Sequence, residues 1–465
     1  MEFIANSSMK ESKNLLFGTD GIRGTINLYP MLPEICLKVG MALCFLLKER
    51  LSHKPKILIG KDTRISGYAI ESALTAGITS MGGDVYLVGP IPTPAVAFLV
   101  KSMRVDAGVV ISASHNPFYD NGIKIFSNDG FKLSEEIERN IEILINKSNF
   151  PENRPSAQFL GKAYRIEDAQ GRYIEFVKST LPKDSNLEGL RVVIDPANGA
   201  AYKITPTLFH ELGAEVITIN DKPDGLNINK ECGALYPQSL AKKVVEFGAH
   251  LGIAHDGDAD RTIFVDEKGQ IIDGDFIITV WAEELKEHKR LKKNTVVTTI
   301  MTNMGVENYL KNRGIKIIRT KVGDRYVVEE MLKGGYTLGG EQSGHIVCLD
   351  YTNTGDGPIT AVQIAYIIKR KEKNLSELIK NIPRYPQVLR NIKIPDSFPK
   401  DKINHIVESI EEIAKKFEKQ TKGRIVIRPS GTEPKIRIMV EEEDSEKVLK
   451  ISEELENITK KLIAM

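Results

Sequence analysis

Short β-branched and aliphatic runs alternate with helical stretches along most of the chain, and this rhythm restricts the fold more than any other feature. Apolar strands separated by helices require a sheet covered on both faces, hence a largely parallel α/β architecture. The first round predicts strands at Lys56–Gly60, Asp84–Val88 and Ala107–Ile111, with helices at Tyr68–Met81 and Pro94–Met103. The second predicts helices Ala169–Leu181, Ala200–Leu212 and Gln238–Phe247 and strands Arg191–Ile194, Glu215–Thr218 and Leu251–Ala254. The third predicts helices Asp275–Glu287, Gly305–Arg313 and Asp324–Leu332 with strands Thr295–Thr299 and Ile315–Arg319. Three such series imply three domains of one topology. Pro383, Pro386, Pro395 and Pro399 then read as a linker. Beyond them, a helix near Ile403–Phe417, two strands around Arg428–Ser430 and a charged terminal helix suggest a smaller α+β domain.

The length of 465 residues agrees with this count, since ~150 residues per domain gives about three, with four allowed. The expected division is a flexible N-terminal extension over 1–14, then domains at 15–165, 166–267, 268–382 and 383–465. Lys plus Arg number 64 against 62 Asp plus Glu, a net charge of +2, so no charge excess prepares the surface for nucleic acid or an anionic membrane. Cys36, Cys44, Cys232 and Cys348 lack CxxC spacing and read as reduced, buried thiols. The N-terminal residues lack a basic region followed by an apolar one, so no secretory leader is expected, and no apolar run approaches the ~18 residues of a membrane span. A cytoplasmic chain is expected.

Five polar, glycine-containing segments interrupt the rhythm directly after or between expected strands, where ligands sit in open α/β sheets. Ser112–Pro117 follows the strand ending at Ile111, with Asp120–Lys124 just beyond. Ser114, beside His115 and within reach of Lys124, suits a nucleophile or phosphoryl carrier, although a capped turn before Pro117 explains the same residues equally well. Asp256, Asp258 and Asp260 alternate after a strand, so their carboxylates can converge on a hard divalent cation; positions left open for phosphate favour Mg²⁺. An EF-hand is excluded: Glu267 falls twelfth, but Arg261 occupies the sixth position, where glycine is required. Gly339–His345 offers Glu341, Ser343 and His345 to sugar hydroxyls or an amine, or is a plain hairpin. Arg428–Pro434, with Arg437, gathers guanidinium, hydroxyl and backbone donors fit for a phosphate dianion. Phe17–Gly24 brings Arg23, and Lys61–Gly67 brings further cations; neither matches a Walker A or dinucleotide fingerprint, and isolated loop cations are usually solvated.

Together these segments resemble the α-D-phosphohexomutase superfamily, from about Leu15 to Val440 and in all four of its signatures. The runs Ser112–Lys124, Gly339–His345 with Gln342, and Lys321–Tyr326 look like its aminosugar branch. The resemblance implies four domains around a central cleft, three sharing an α/β core and the last smaller, each delivering one loop. It marks Ser114 as the phosphoryl carrier, with Asp256, Asp258 and Asp260 holding one Mg²⁺ together with the phosphorylated Ser114. It gives Arg23 to phosphoryl transfer, Lys124 to proton transfer and His115 to orientation. Glu341, Ser343, His345 and Arg261 would contact the sugar, and Arg428, Ser430, Gly431, Thr432 and Arg437 would clamp the non-reacting phosphate.

The implied reaction interconverts glucosamine 6-phosphate and glucosamine 1-phosphate through glucosamine 1,6-bisphosphate, a step toward UDP-N-acetylglucosamine and cell-wall synthesis. Lys124 would act as a base if neighbouring cations lower its pKa. The clamp lies on the last domain, so turning of the intermediate is expected to move that domain about 383–386. The rival readings are a mutase for glucose or mannose phosphates, a non-catalytic phosphosugar sensor and a Mg²⁺-dependent phosphatase. The partner expected is the phosphosugar, with no nucleic acid and no membrane; a homodimer is compatible.

Overall fold

The structure, a computed structural model, describes residues 16–18, 20–146, 154–395, 398, 400–418, 423–429 and 435–464; for 400–402, 404 and 464 only the backbone is described. The extension expected over 1–14 lies outside the described residues, as do Ser430, Gly431 and Thr432 of the expected phosphate loop. Three α/β units and a smaller C-terminal unit follow one another, each with its own sheet of six, five, four and three strands.

In the first sheet Lys56–Lys61 runs parallel to both Asp84–Pro90 and Ala107–Ile111. Beyond Ala107–Ile111, two antiparallel strands, Asp120–Ser127 and Ile22–Thr25, extend the sheet, which is therefore mixed. Sequence periodicity missed both because each carries site residues in place of apolar ones: Lys124 lies inside the first and Arg23 inside the second. The second sheet pairs Arg191–Asp195 in parallel with Glu215–Thr218 and Leu251–His255, then turns antiparallel into Thr262–Asp266. In the third, Thr295–Thr299 runs parallel to Lys316–Thr320 and to Leu338–Gly340, which forms a hairpin with Ile346–Cys348.

The stretch between Pro383 and Pro399 is not simply a linker. Gln387–Lys393 is an edge strand of the last sheet, antiparallel to Lys435–Glu441, whose other neighbour is Arg424–Pro429. Pro386 and Pro395 flank the strand without interrupting its ladder, as edge positions allow. Helix Ala169–Lys178 stops short of the expected Leu181, four residues before Pro182.

The first three units share one continuous apolar core, in which helices Thr93–Ser102, Ala169–Lys178, Gly274–Glu287 and Gly357–Lys371 bury residues of all three. Phe98 of the first unit stacks on Phe176 of the second with ring centroids 4.0 Å apart. The last unit has a separate core around Ile410, Ile436, Ile438 and Leu455. Its junction with the third unit includes polar contacts: Met304 N–H donates to the Glu441 carboxylate at 2.8 Å, and Arg424 donates to the Thr302 carbonyl at 2.9 Å. Polar junctions of this kind permit relative motion more readily than a shared apolar core. All four cysteines are free and buried, and no helix among the described residues is long and apolar enough to cross a membrane.

Candidate active site

Ser114 sits at the end of strand Ala107–Ile111 in the left-handed region, φ 52°, and is fully buried. Such a conformation is strained for a non-glycine residue and persists only when its surroundings fix it. Buried Arg64 does so. Its Nη2 donates to the carbonyls of Ser114 and Asn116, both at 2.8 Å, its Nη1 to those of Pro117 and Asp120, and its Nε to Asp62 at 2.8 Å. From the second unit, Asn229 donates to the same Ser114 and Asn116 carbonyls at 2.9 and 3.0 Å. The Ser114 hydroxyl donates to Asp256 Oδ2 at 2.6 Å, so the serine loop and the acidic loop meet although 142 positions separate them. Gly257 permits this approach, because a Cβ there would lie 2.6 Å from the Ser114 carbonyl oxygen.

The acidic loop joins antiparallel strands Leu251–His255 and Thr262–Asp266. Burial lowers the His255 imidazole to about 4, so the neutral ring donates through Nδ1 to the Arg261 carbonyl at 3.2 Å, accepts from Thr205 at 3.0 Å and closes the loop. Asp256, Asp258 and Asp260 are buried, with one ligand oxygen from each within 4.8 Å of the others. Burial, then Asp260 and Asp258, push the Asp256 carboxyl well above the carboxylate range. Burial acts the same way on Asp258, but Lys124 outweighs it and holds that carboxyl below the range. Among the described residues, Oδ1 of Asp258 and Oδ1 of Asp260 have no hydrogen-bond partner, the latter lying 3.8 Å from Arg261 Nε. Two orphaned buried carboxylate oxygens beside a third acid are the donor set of a hard divalent cation, so the residues fit one.

Lys124 projects from strand Asp120–Ser127 into this cluster, 2.8 Å from Asp258, 3.2 Å from Asp260 and 3.3 Å from Asp20. Its pKa is not lowered by neighbouring cations, contrary to what the sequence led us to expect. Burial does disfavour the ammonium, but three carboxylates outweigh it and hold the pKa well above the usual value. His115 Nδ1 accepts from Arg261 Nη1 at 3.1 Å; burial, then Arg261 and Arg23, lower its pKa to about 4, leaving a neutral ring 3.4 Å from the Ser114 hydroxyl. Arg23 reaches Asp20 and the Ala113 carbonyl.

The hairpin bearing Glu341, Ser343 and His345 packs on the acidic loop. Thr262 N–H donates to the Gly344 carbonyl at 3.1 Å, and Arg261 bridges His345 through the backbone. Glu341 accepts from Gly323 N–H at 3.0 Å, Ser343 is exposed, and His345 is buried with neither ring nitrogen hydrogen-bonded among the described residues. Arg428 and Arg437 are cross-strand partners on the last sheet. Burial and then Arg437 lower the Arg428 pKa while Glu341 opposes the change, so Arg428 lies within the field of the sugar loop's carboxylate. Two neighbouring guanidiniums can receive an anion.

Sequence reasoning missed Asp20, Arg64, Thr93, Lys132, Asn229 and Asp324. Asp20 and Arg64 lay within segments singled out for their cations, but burial of the arginine had no local signature. Thr93, whose hydroxyl donates to Asp258 at 2.6 Å, and Asn229 become visible only when chain units meet.

Four consecutive segments match family models described as phosphoglucomutase/phosphomannomutase alpha/beta/alpha domain I over 14–152, domain II over 171–269, domain III over 273–385 and the C-terminal domain over 389–458. The phosphoglucosamine mutase of Thermodesulfovibrio yellowstonii is 78% identical over 449 residues, covering 97% of this chain and all of that protein. That of Syntrophotalea carbinolica is 52% identical over 446 residues, 96% of this chain and 97% of the other. Among solved structures, a phosphoglucomutase/phosphomannomutase family protein from Burkholderia thailandensis shares the fold with a TM-score of 0.78 at 22% identity, covering 96% of this chain and 97% of that one. Aspergillus fumigatus N-acetylphosphoglucosamine mutase does so with a TM-score of 0.65 at 17% identity and 95% coverage of each.

Proposed function

The chain belongs to the phosphoglucomutase/phosphomannomutase family, and from that premise we propose that it interconverts glucosamine 6-phosphate and glucosamine 1-phosphate through a phosphorylated Ser114. The observation that carries this reading is the 2.6 Å contact between the Ser114 hydroxyl and Asp256, inside a cluster that also holds Lys124 and Arg23. Phosphoserine 114 gives its phosphoryl group to the free sugar hydroxyl, producing glucosamine 1,6-bisphosphate. The intermediate turns, and its other phosphate returns to the serine.

Phosphoryl transfer proceeds through a loose transition state, so alignment and charge neutralisation are the protein's main tasks. Asp256, Asp258 and Asp260, with the phosphorylated serine, would hold Mg²⁺, which when bound supplies positive charge beside the transferring group. Arg23 neutralises charge on the phosphoryl oxygens. Lys124, kept protonated by its carboxylates, donates a proton to the departing Ser114 oxygen while the attacking sugar hydroxyl passes its proton to an oxygen of the transferred phosphoryl group; in the second half-reaction neutral Lys124 takes the Ser114 proton back and the phosphoryl-borne proton goes to the departing sugar oxygen. Neutral His115, fixed by Arg261, orients the serine without competing for its charge. Glu341, Ser343, His345 and Arg261 contact the sugar. Arg428 and Arg437, with Ser430, Gly431 and Thr432, grip the non-reacting phosphate, so one site serves both isomers.

Three measurements test the reading. Intact mass of wild-type protein should show one phosphoryl group, lost in Ser114→Ala. Turnover should exceed that on glucose or mannose phosphates, without faster release of inorganic phosphate. Full turnover in folded Ser114→Ala would remove the serine from the reaction.

A further inference from the structure

Charges that the roles above leave unassigned join the first unit to the third. Lys132 lies on the return arm of the hairpin that follows strand Asp120–Ser127, in bridge register with Phe126 and therefore beside the strand that carries Lys124. The turn between them is closed by Ser127 N–H on the Phe131 carbonyl at 2.8 Å, with Gly130 at φ 78°. The Lys132 ammonium donates to Asp20 Oδ1 at 2.6 Å and, across the interface, to Asp324 Oδ2. Each acid touches a different part of the site. Asp20 holds Arg23 and lies 3.3 Å from Lys124. Asp324 lies 3.6 Å from His345 Nε2 and follows Gly323, whose N–H fixes Glu341.

We propose that Lys132 is a positioning residue: by joining Asp20 to Asp324 it holds the Arg23 and Lys124 cations in register with the sugar loop of Glu341 and His345. The two groups of residues come from chain segments more than two hundred positions apart, and nothing in either segment alone sets their separation. Between Asp20 and Asp324 the ammonium also suppresses the repulsion of two carboxylates with little solvent access. Remove it and those acids face each other across the interface, which then relaxes by moving one of them, together with the cations or the loop attached to it. The proposal rests on the functional reading given above.

An ion pair that merely glues the same interface provides the comparison. Arg325 donates to Glu138 at 3.0 and 3.2 Å between the same two units, and among the described residues the Glu138 side chain bonds to Arg325 alone, with Lys132 reaching it only through its field. The experiment compares wild type, Lys132→Met, Lys132→Arg, Asp324→Asn, the Lys132→Met/Asp324→Asn double variant and Glu138→Gln in steady-state isomerisation of glucosamine 6-phosphate. Phosphoserine content and circular dichroism accompany each. Lys132→Met should lose about 10-fold or more in kcat with phosphorylation intact, Lys132→Arg should recover most of it, and Glu138→Gln should stay within about 2-fold of wild type. The double variant should be no worse than the poorer single one, because both substitutions break the same link. Wild-type kinetics in Lys132→Met, an equal loss in Glu138→Gln, failure of Lys132→Arg to recover activity, or multiplicative losses in the double variant would overturn the proposal. If Lys132→Met does not fold, Lys132→Gln takes its place under the same criteria. Absence of turnover in phosphorylated wild type would instead refute the functional reading itself.

Discussion

Replacing Arg64 by lysine tests whether the serine loop is held as described. The guanidinium places five donor contacts around the loop: one to Asp62 and one each to the carbonyls of Ser114, Asn116, Pro117 and Asp120. A lysine ammonium has three donors at one point in place of a planar fork, so at least two acceptors lose their partner. Asn229 still serves the Ser114 and Asn116 carbonyls, so the loss falls on Pro117 and Asp120. At ~1–3 kcal/mol for each buried unsatisfied acceptor, two acceptors cost about 2–6 kcal/mol, and relaxation toward solvent at exposed Pro117 favours the lower end. A local loss of about 2 kcal/mol is ~30-fold in opening. The assay is hydrogen exchange of the Ser112, Ser114, Asn116 and Asp120 amides, all bonded within the loop at 2.9 to 3.1 Å, with turnover measured in parallel. Protection should fall ~30-fold there and remain unchanged in the last unit, with a lower kcat. A folded Arg64→Lys protein with wild-type protection over 112–120 would refute the argument.

Three further outcomes follow from other contacts. Thr93→Val removes the hydroxyl that orients Asp258 and should weaken Mg²⁺ or Mn²⁺ affinity ~10–100-fold by calorimetric titration, while the fold persists. Arg428→Gln should raise KM for the phosphosugar ~10–100-fold, more than it lowers kcat, because charge-assisted bonds to a phosphate held throughout are uniform binding; an unchanged KM would remove Arg428 from the clamp. Asp356, buried at the start of helix Gly357–Lys371, accepts from Tyr173 and from Ile359 N–H at 2.8 Å, and burial pushes its carboxyl up to about 7. Its folded pKa lies above the unfolded value, so its contribution to stability is full below about pH 4 and is lost as the pH rises toward 7. Asp356→Asn keeps the accepting oxygen but cannot ionise. Its apparent Tm relative to wild type should therefore climb from pH 4 to 7, by up to the equivalent of about 4 kcal/mol, and level off above; a flat or falling difference would show that the buried carboxyl is not the cause.

The strand and helix rhythm was legible because apolar runs bounded by turn residues are local properties. Ala107–Ile111, Glu215–Thr218 and Thr295–Thr299 occur where periodicity puts them. Strands built around site residues were not legible. Arg23 and Lys124 occupy positions on Ile22–Thr25 and Asp120–Ser127 that an apolar pattern does not announce, and their pairing supplies the backbone bonds that the sequence leaves open. The prolines around Gln387–Lys393 misled for a related reason, since an edge strand tolerates them at its ends.

At the site, the chemistry of each loop could be read from residue types and spacing: alternating acids for a cation, a strand-end serine, gathered donors for phosphate. Their convergence could not. The charge state of Lys124 shows the difference, because a lysine flanked in sequence by apolar residues gave no notice of three carboxylates arriving from Asp20, Asp258 and Asp260. Residue identity decides which protons and cations a loop can exchange. Burial and the fields of groups brought from distant segments decide which of those exchanges are favourable, and these arise only when the units pack.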